Sequence, residues 1–274
     1  MPIITSLHNP RVKDVVRLRN RRYRQAQGRI LIEGVRELGR AIAGGVRLQE
    51  VFLCEPLCRS RESQDLVNRL PQTGAEVLPV AEPVFEKLAF GQRAEGVLAV
   101  AEMPQPNLRG LELPAQPLLA VLEGVEKPGN VGAVLRSADA AGLSALLVAD
   151  PRTDLWNPNT IRASLGTIFT LAVCQATAQD VLAWLRQQRL QILAARVDGA
   201  VPYTQPDYRR PTAVVLGSEA AGLTPLWSAE DIQAVRLPML GSADSLNVSA
   251  AAAVLFYEAR RQRDQGQTQG MVEG

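Results

Sequence analysis

Apolar and polar positions alternate along this chain in two successive blocks, separated by a proline-rich break. In the first block, residues 30–33, 48–54, 75–80 and 96–102 read as strands. Helical periods over 35–43, 61–70 and 82–90 lie between them, so the block is a small α/β unit. Residues 103–117 contain four prolines and no sustained period, which marks a stiff linker at 104–117. The second block repeats the alternation, with strands at 118–122, 145–149, 169–174, 191–197, 212–216 and 234–237. Its helices fall at 131–141, 157–164, 179–189 and about 245–263. Runs such as LLAVL at 118–122 and TAVVL at 212–216 are apolar without alternation. Such strands belong to a parallel sheet covered on both faces. The expected organisation is therefore an N-terminal domain over 1–103, the linker, a second α/β domain over 118–264, and a polar, disordered tail over 265–274.

The first turns of the chain carry a different pattern. Asn9-Pro10 is a helix start, and the helix that follows has only a thin apolar stripe through Val12, Val15 and Val16. Arg11, Lys13, Arg17, Arg19, Arg21, Arg22, Arg24 and Arg29 face a single acid, Asp14. A charged helix face is often simply solvated. An arginine-dominated one suits phosphate, because the guanidinium fork pairs with two phosphate oxygens. Arg11, Arg17, Arg21, Arg22 and Arg24 are the expected RNA contacts, supplying affinity without sequence choice.

At 274 residues, 46% apolar and 21% charged, the chain describes a soluble globular protein. Its net charge of +2 says less than the distribution of that charge. No apolar stretch approaches a membrane span, and the basic N-terminus lacks the apolar core of a secretory signal. Cys54, Cys58 and Cys174 are odd in number and follow no zinc spacing, as expected of buried thiols in a cytoplasmic protein. The single histidine, His8, lies in the N-terminal arm, which argues against a catalytic triad or a histidine metal site. Neither a Walker A loop nor G-x-G-x-x-G after a strand occurs. Chemistry without a metal or an acid–base histidine remains, and methyl transfer from a sulfonium donor qualifies, because its leaving group needs no protonation.

Three stretches carry that possibility: LEGVEKPGNVGAVLR at 122–136, VVLGSEAAG at 214–222 and LPMLGSADSLNVSAAAAVLF at 237–256. The first two are strands entering glycine-rich loops, and bare backbone at Gly217 permits close approach by a flat ligand. In the third, Ser245 reads as a helix cap, and polar Ser245, Asn247 and Ser249 sit where free N–H groups accumulate. Leu237 and Leu246 form apolar walls on either side of the loop at Met239. In this order the three stretches resemble the motif set of the SpoU (TrmH-type) RNA ribose 2′-O-methyltransferases of the SPOUT superfamily, over roughly 118–263. Ala220-Ala221 departs mildly from the second motif, where glycine or an acid is more usual.

That resemblance implies a C-terminal domain tied in a deep trefoil knot on a parallel sheet. It also implies a preceding small α/β domain similar to a ribosomal-protein RNA-binding fold. S-adenosylmethionine is the implied cofactor, contacted by Gly217, Leu237 and Leu246, with Met239 in the same loop. Arg136 is the implied catalytic residue, acting on the ribose 2′-hydroxyl, and a homodimer places it close to the partner's cofactor pocket. Because arginine stays protonated, its expected part is to hold the hydroxyl and neighbouring phosphate rather than to act as a base. The plain alternative is an ion pair between Arg136 and Glu219 or Asp139. Asn130 and Glu219 are expected to orient loop backbone or Arg136, and Asn247 with Ser245 to fix the knot loop. Arg162 and Ser164, in IRASLG at 161–166, are further expected RNA-backbone contacts. Ribosomal RNA is the preferred substrate and transfer RNA the second. A non-catalytic ribosome-assembly factor and a base methyltransferase are the rival readings.

Overall fold

The computed structural model describes residues 2–91 and 95–272, with side chains to residue 265. In chain order the elements are α1 (Pro10–Arg17), α2 (Arg21–Gln27), β1 (Arg29–Glu33), α3 (Val35–Ala43), β2 (Leu48–Leu53), α4 (Arg61–Arg69), β3 (Glu76–Pro79), α5 (Glu82–Leu88) and β4 (Val97–Glu102). There follow β5 (Leu118–Glu123), α6 (Pro128–Ala141), β6 (Ala145–Ala149), α7 (Pro158–Ala163), β7 (Ala172–Ala176), α8 (Ala178–Gln187) and β8 (Gln191–Ala195). The chain ends with β9 (Val201–Pro202), β10 (Thr212–Leu216), β11 (Ile232–Arg236) and α9 (Val248–Val272). They form two compact units: Met1–Gln105 with Asp154–Thr170, and Pro106–Thr153 with Leu171–Gly274.

The first unit is built on a four-stranded sheet in the order β1-β4-β2-β3. β4 runs antiparallel to both neighbours, while β2 and β3 are parallel. Its core joins Val12, Val15 and Leu18 to Leu31, Phe52, Phe85 and Leu98. The basic segment expected as one helix is two. Leu18 is drawn fully into the core, and the chain restarts at Asn20, whose side chain accepts the Arg22 N–H at 2.9 Å. Asn9 caps α1 in the same way, through the Arg11 N–H at 2.9 Å. Residues 154–170 group with this unit although they lie far along the chain, a division that linear boundaries do not give. Trp156 and Phe169 stack with ring centroids 6.1 Å apart, and α7 packs on β1. Gly44 must be glycine here, since a Cβ would fall 2.0 Å from the carbonyl oxygen of Phe169.

The second unit holds a seven-stranded sheet in the order β7-β6-β5-β10-β8-β11-β9, parallel at every pairing. Every residue of β5, β6 and β10 is buried, which is the physical origin of their unbroken apolar runs. Leu119, Val121, Leu147, Val215 and Trp227 belong to one core cluster, and α6 packs along α9. The tail expected to be disordered instead continues α9 to Val272. The helix enters the tail from a well-supported segment over 258–264, rich in the helix formers Arg, Gln and Glu. Arg260–Asp264 at 2.8 Å and Gln262 to Glu258 at 2.8 Å add support at i,i+4 spacing. Residues 273 and 274 lie outside the described residues.

Candidate active site

In the second unit a cleft of about 660 Å³ lies where β8, β10 and β11 end. This is the edge at which open parallel sheets commonly bind ligands. Gly217, Leu237, Met239, Ser245 and Leu246 all line it, together with Ser218, Glu219 and Asp244. Leu246 is 42% exposed and stands at the rim. The glycine at 217 has a structural cause beside the ligand approach expected of it. The loop folds back on itself, with Ser218 and Gly222 exchanging backbone hydrogen bonds at 2.9 and 3.1 Å. A Cβ on Gly217 would lie 2.2 Å from the carbonyl carbon of Gly222. Gly222 itself turns with φ +65°, the left-handed region that glycine tolerates. The bare wall that results still leaves an apolar slot.

Three distant stretches meet beside that slot. Asn247 Nδ2 donates to Glu219 Oε1, and at 3.4 Å to Asn130 Oδ1. Lys127 Nζ lies 3.1 Å from Glu219 Oε2. The Nδ2 of Asn130 is buried with no hydrogen-bond partner among the described residues. Such an unmet donor costs stability. Asn247 Oδ1 also accepts from the Ser249 N–H at 3.0 Å and from Ser249 Oγ at 2.6 Å, so Asn247 caps α9. Ser245, expected to be that cap, instead faces the cleft from the preceding loop.

Helix α6 begins at Pro128, ahead of the expected start at 131, so Asn130 and Arg136 stand on one helix. Six residues of α-helix make about one and two-thirds turns, which leaves the two roughly 120° apart around the axis and on different faces. Val131, Val134, Leu135 and Ala138 form the buried stripe, and Arg136 lies off it, exposed. It makes no ion pair with Glu219 or Asp139. Glu219 is engaged by Lys127 and Asn247 instead.

Two contributors escaped the sequence reading. Glu123, 3% exposed at the end of β5, accepts both the N–H and the hydroxyl of Thr224 at 2.7 Å and ties the first motif to the second. Its signal was an acid closing a wholly apolar strand. Lys127 had only its place before Pro128. At the cleft's edge Arg196 donates to Asp198 at 2.9 and 2.7 Å, and this pairing holds the Asp198 carboxyl below its ordinary range.

The residues expected to contact RNA divide sharply. Arg24 is 1% exposed. It donates to the carbonyls of Leu18 and Arg19 at 2.7 Å and pairs with Asp154, so it is a structural cation and not a phosphate contact. Ser164 is fully buried, donating to the Ile161 carbonyl at 2.7 Å and accepting from the Gly166 N–H at 3.2 Å. It too is withdrawn from RNA. Arg11 is exposed but engaged by Glu50 at 3.0 Å and Glu76 at 2.6 Å. Arg19 caps the end of α5 through three carbonyls at 2.6 to 3.0 Å. Arg21 and Arg22 are exposed and without ion pairs among the described residues, and Arg17 lies 6.0 Å over the Tyr23 ring. Arg162 is half-buried, its guanidinium folded over Gly91.

Among the described residues no group of three His, Cys, Asp or Glu side chains could hold a metal ion, and no helix is long and apolar enough to cross a membrane. The three cysteines are buried and free, with the Cys58 thiol pushed up to about 11 by burial.

Comparison with known proteins bears on each unit. Residues 9–99 match the MRM3-like substrate binding domain, and residues 117–257 the SpoU rRNA Methylase family. A 23S rRNA (uridine(2479)-2′-O)-methyltransferase of Streptomyces viridochromogenes is 31% identical over 92% of this chain and 89% of its own length. A solved RNA 2′-O ribose methyltransferase is 41% identical, with TM-score 0.84, over 96% of this chain and 99% of its own. An AdoMet-bound rRNA methyltransferase from Sinorhizobium meliloti is 29% identical, with TM-score 0.86, over 95% and 97%. With both units matched in order and the three loop motifs drawn to one cleft, the chain belongs to the SpoU rRNA methylase family.

Proposed function

We propose that this chain transfers a methyl group from S-adenosylmethionine to a ribose 2′-hydroxyl of ribosomal RNA, with Arg136 acting on that hydroxyl. The convergence of Asn130, Glu219 and Asn247 on the apolar cleft carries the reading. Nearly full-length similarity to 23S rRNA 2′-O-methyltransferases and to an AdoMet-bound rRNA methyltransferase supports ribosomal RNA as the substrate and this cofactor.

The cleft fits such a cofactor in size and chemistry. Leu237 and Leu246 offer apolar faces to an adenine, and the folded-back loop at Gly217 keeps side chains off its plane. The bound cofactor supplies an activated methyl group on a positively charged sulfur. The protein's own task is to exclude water, align the hydroxyl and stabilise the charge that grows on its oxygen. Arg136 is exposed and has no ion pair or side-chain hydrogen bond among the described residues, so its donors are available for a ribose hydroxyl and the adjoining phosphate. Glu219, held from two sides by Lys127 and Asn247, orients the loop and moves no proton.

The chain acts as a homodimer. Val254 (39% exposed) and Tyr257 (53% exposed) leave apolar surface on α9, and an Arg136 on α6 without an ion pair among the described residues suits a site completed by a second copy. The second domain carries the family's trefoil knot, consistent with β10 lying between β5 and β8 in a wholly parallel sheet. Three free thiols fit a reducing cytoplasm.

The test is mass spectrometry of nucleosides from ribosomal RNA incubated with enzyme and cofactor. A 2′-O-methylated nucleoside should appear with the native protein and be lost with Arg136→Ala. Modification of a base alone would point to the other chemistry in this superfamily, and no modification together with no cofactor binding to an assembly factor. A stable, active monomer by mass measurement would remove the dimer.

A further inference from the structure

The first unit contains a second cleft, also about 660 Å³, that the reaction just described does not use. Two charged groups lie at its base, each laid over a bare glycine. Glu37 is 9% exposed, and its carboxylate makes no hydrogen bond to any other residue among those described. It occupies the space above Gly34, where a Cβ would fall 2.3 Å from Glu37 Oε2. The guanidinium of Arg162 occupies the space above Gly91, 2.6 Å from where a Cβ would stand, and donates no hydrogen bond among the described residues. Neighbouring acids are otherwise committed. Glu33 accepts the N–H groups of Phe90 and Gly91 at 2.9 and 3.0 Å, and Glu95 accepts the Val35 N–H at 2.8 Å. At the rim stand exposed Arg36 and Arg69 beside exposed Glu62 and Asp65.

A nine-tenths-buried carboxylate whose hydrogen bonding among the described residues is limited to its own backbone N–H is costly unless something else satisfies it. Here the cleft offers an acceptor-only group and a donor-only group together, in a volume suited to one nucleoside. Guanine answers both at once. Its N1–H and N2–H donors stand side by side and match the two carboxylate oxygens, while O6 and N7 accept from a guanidinium fork. Adenine, cytosine and uracil lack the paired donors.

We propose that this cleft takes an unpaired guanine base of the RNA, with Glu37 reading its Watson–Crick edge, Arg162 its acceptor edge, and Arg36 and Arg69 the flanking phosphates. Unpaired bases are where proteins read RNA sequence. The proposal rests on the reading of this chain as an RNA-modifying enzyme and adds a sequence preference carried outside the methyl-transfer cleft.

The test uses the full chain with its other cleft saturated by S-adenosylhomocysteine. Fluorescence anisotropy compares the labelled RNA pentamers UUGUU, UUAUU, UUCUU and UUUUU, with GMP as competitor. UUGUU should bind about tenfold more tightly than the others, as a good bidentate base contact provides. GMP should compete only weakly, because it lacks the flanking phosphates. Glu37→Gln and Arg162→Ala, each checked for unchanged circular dichroism and S-adenosylhomocysteine affinity, should each erase the preference. Equal binding of all four pentamers, GMP as strong as UUGUU, or a preference surviving in both variants would overturn it. The native protein alone decides the first two outcomes if either variant fails to fold. Methyl transfer to ribosomal RNA is assayed in parallel. Intact transfer without a guanine preference sinks the pocket alone, whereas a preference without transfer supports the pocket and sinks the enzymatic reading.

Discussion

Two clefts of equal volume divide this molecule's chemistry. The one in the second unit is walled by leucines, bare backbone and a methionine, with charge confined to Arg196, Asp198, Glu219 and Asp244. The other, in the first unit, carries nine charged side chains: Glu33, Arg36, Glu37, Arg40, Glu62, Asp65, Arg69, Glu95 and Arg162. An apolar slot strengthens the few electrostatic contacts made inside it, because little water screens them. A cleft lined with alternating charge stays wet and selects by pairing. Volume says nothing of function here. Lining does.

Substitutions can break or sharpen that contrast. The largest effect is expected where a cation that looks like part of the binding surface is structural. Arg24→Ala leaves Asp154 and the carbonyls of Leu18 and Arg19 unpaired in the first unit. It should cost about 3–5 kcal/mol of stability in chemical denaturation, as removing half of a buried pair does. RNA affinity lost at native stability would show that Arg24 contacts RNA after all.

Next comes the exposed cation of the second unit. Arg136→Ala should lower kcat by about 10²–10³-fold, the scale of removing one oxyanion donor, with cofactor affinity unchanged. Arg136→Lys keeps the charge without the fork and should remain largely impaired. A third substitution probes the apolar wall itself. Gly217→Ala places a methyl 2.2 Å from the Gly222 carbonyl carbon, so the loop must shift at a cost of about 1–3 kcal/mol. Calorimetry should show cofactor affinity falling while RNA affinity holds. If both fall together, the two clefts are less independent than their linings indicate.

Smaller effects test the charged side. Arg21→Ala with Arg22→Ala should leave folding unchanged and flatten the salt dependence of RNA binding by about two counterions. An unchanged slope would make that face merely solvated. The smallest effect is a pH slope. Burial holds the Glu33 and Glu37 carboxyls above the usual carboxylate range, with Glu95 raising Glu37 further and Arg162 lowering both. The folded state then binds more protons than the unfolded one, so these groups make stability fall as pH rises from the ordinary carboxylate range through their raised values. Asp207, Asp231 and Glu258, held low by their arginines, act in the opposite sense. Glu37→Gln removes its own share. Its stability relative to the native protein should rise across that window in thermal melts, and a constant difference would mean that Glu37 titrates normally.

The chain's own pattern was sufficient for the class and for most elements, though not for the break between α1 and α2, the short β9 or the helical tail. Fully apolar runs at 118–122 and 212–216 announced buried parallel strands, because a strand covered on both faces has no polar side to show. Loop motifs announced the residues that line the cleft of the second unit, because glycine, leucine and a polar helix start are local properties that survive without the fold. Sequence could not apportion the arginines. Arg21, Arg22 and Arg24 look alike in a row, and their fates parted when Leu18 entered the core and turned Arg24 inward beside Asp154, 130 positions away. Nor could it attach 154–170 to the first unit, bring Lys127 to Glu219, or strand the Glu37 carboxylate in a cleft. Hydrophobic periodicity is written residue by residue, whereas the pairing of charges depends on which surfaces folding brings within a few ångströms, and that only the tertiary structure decided.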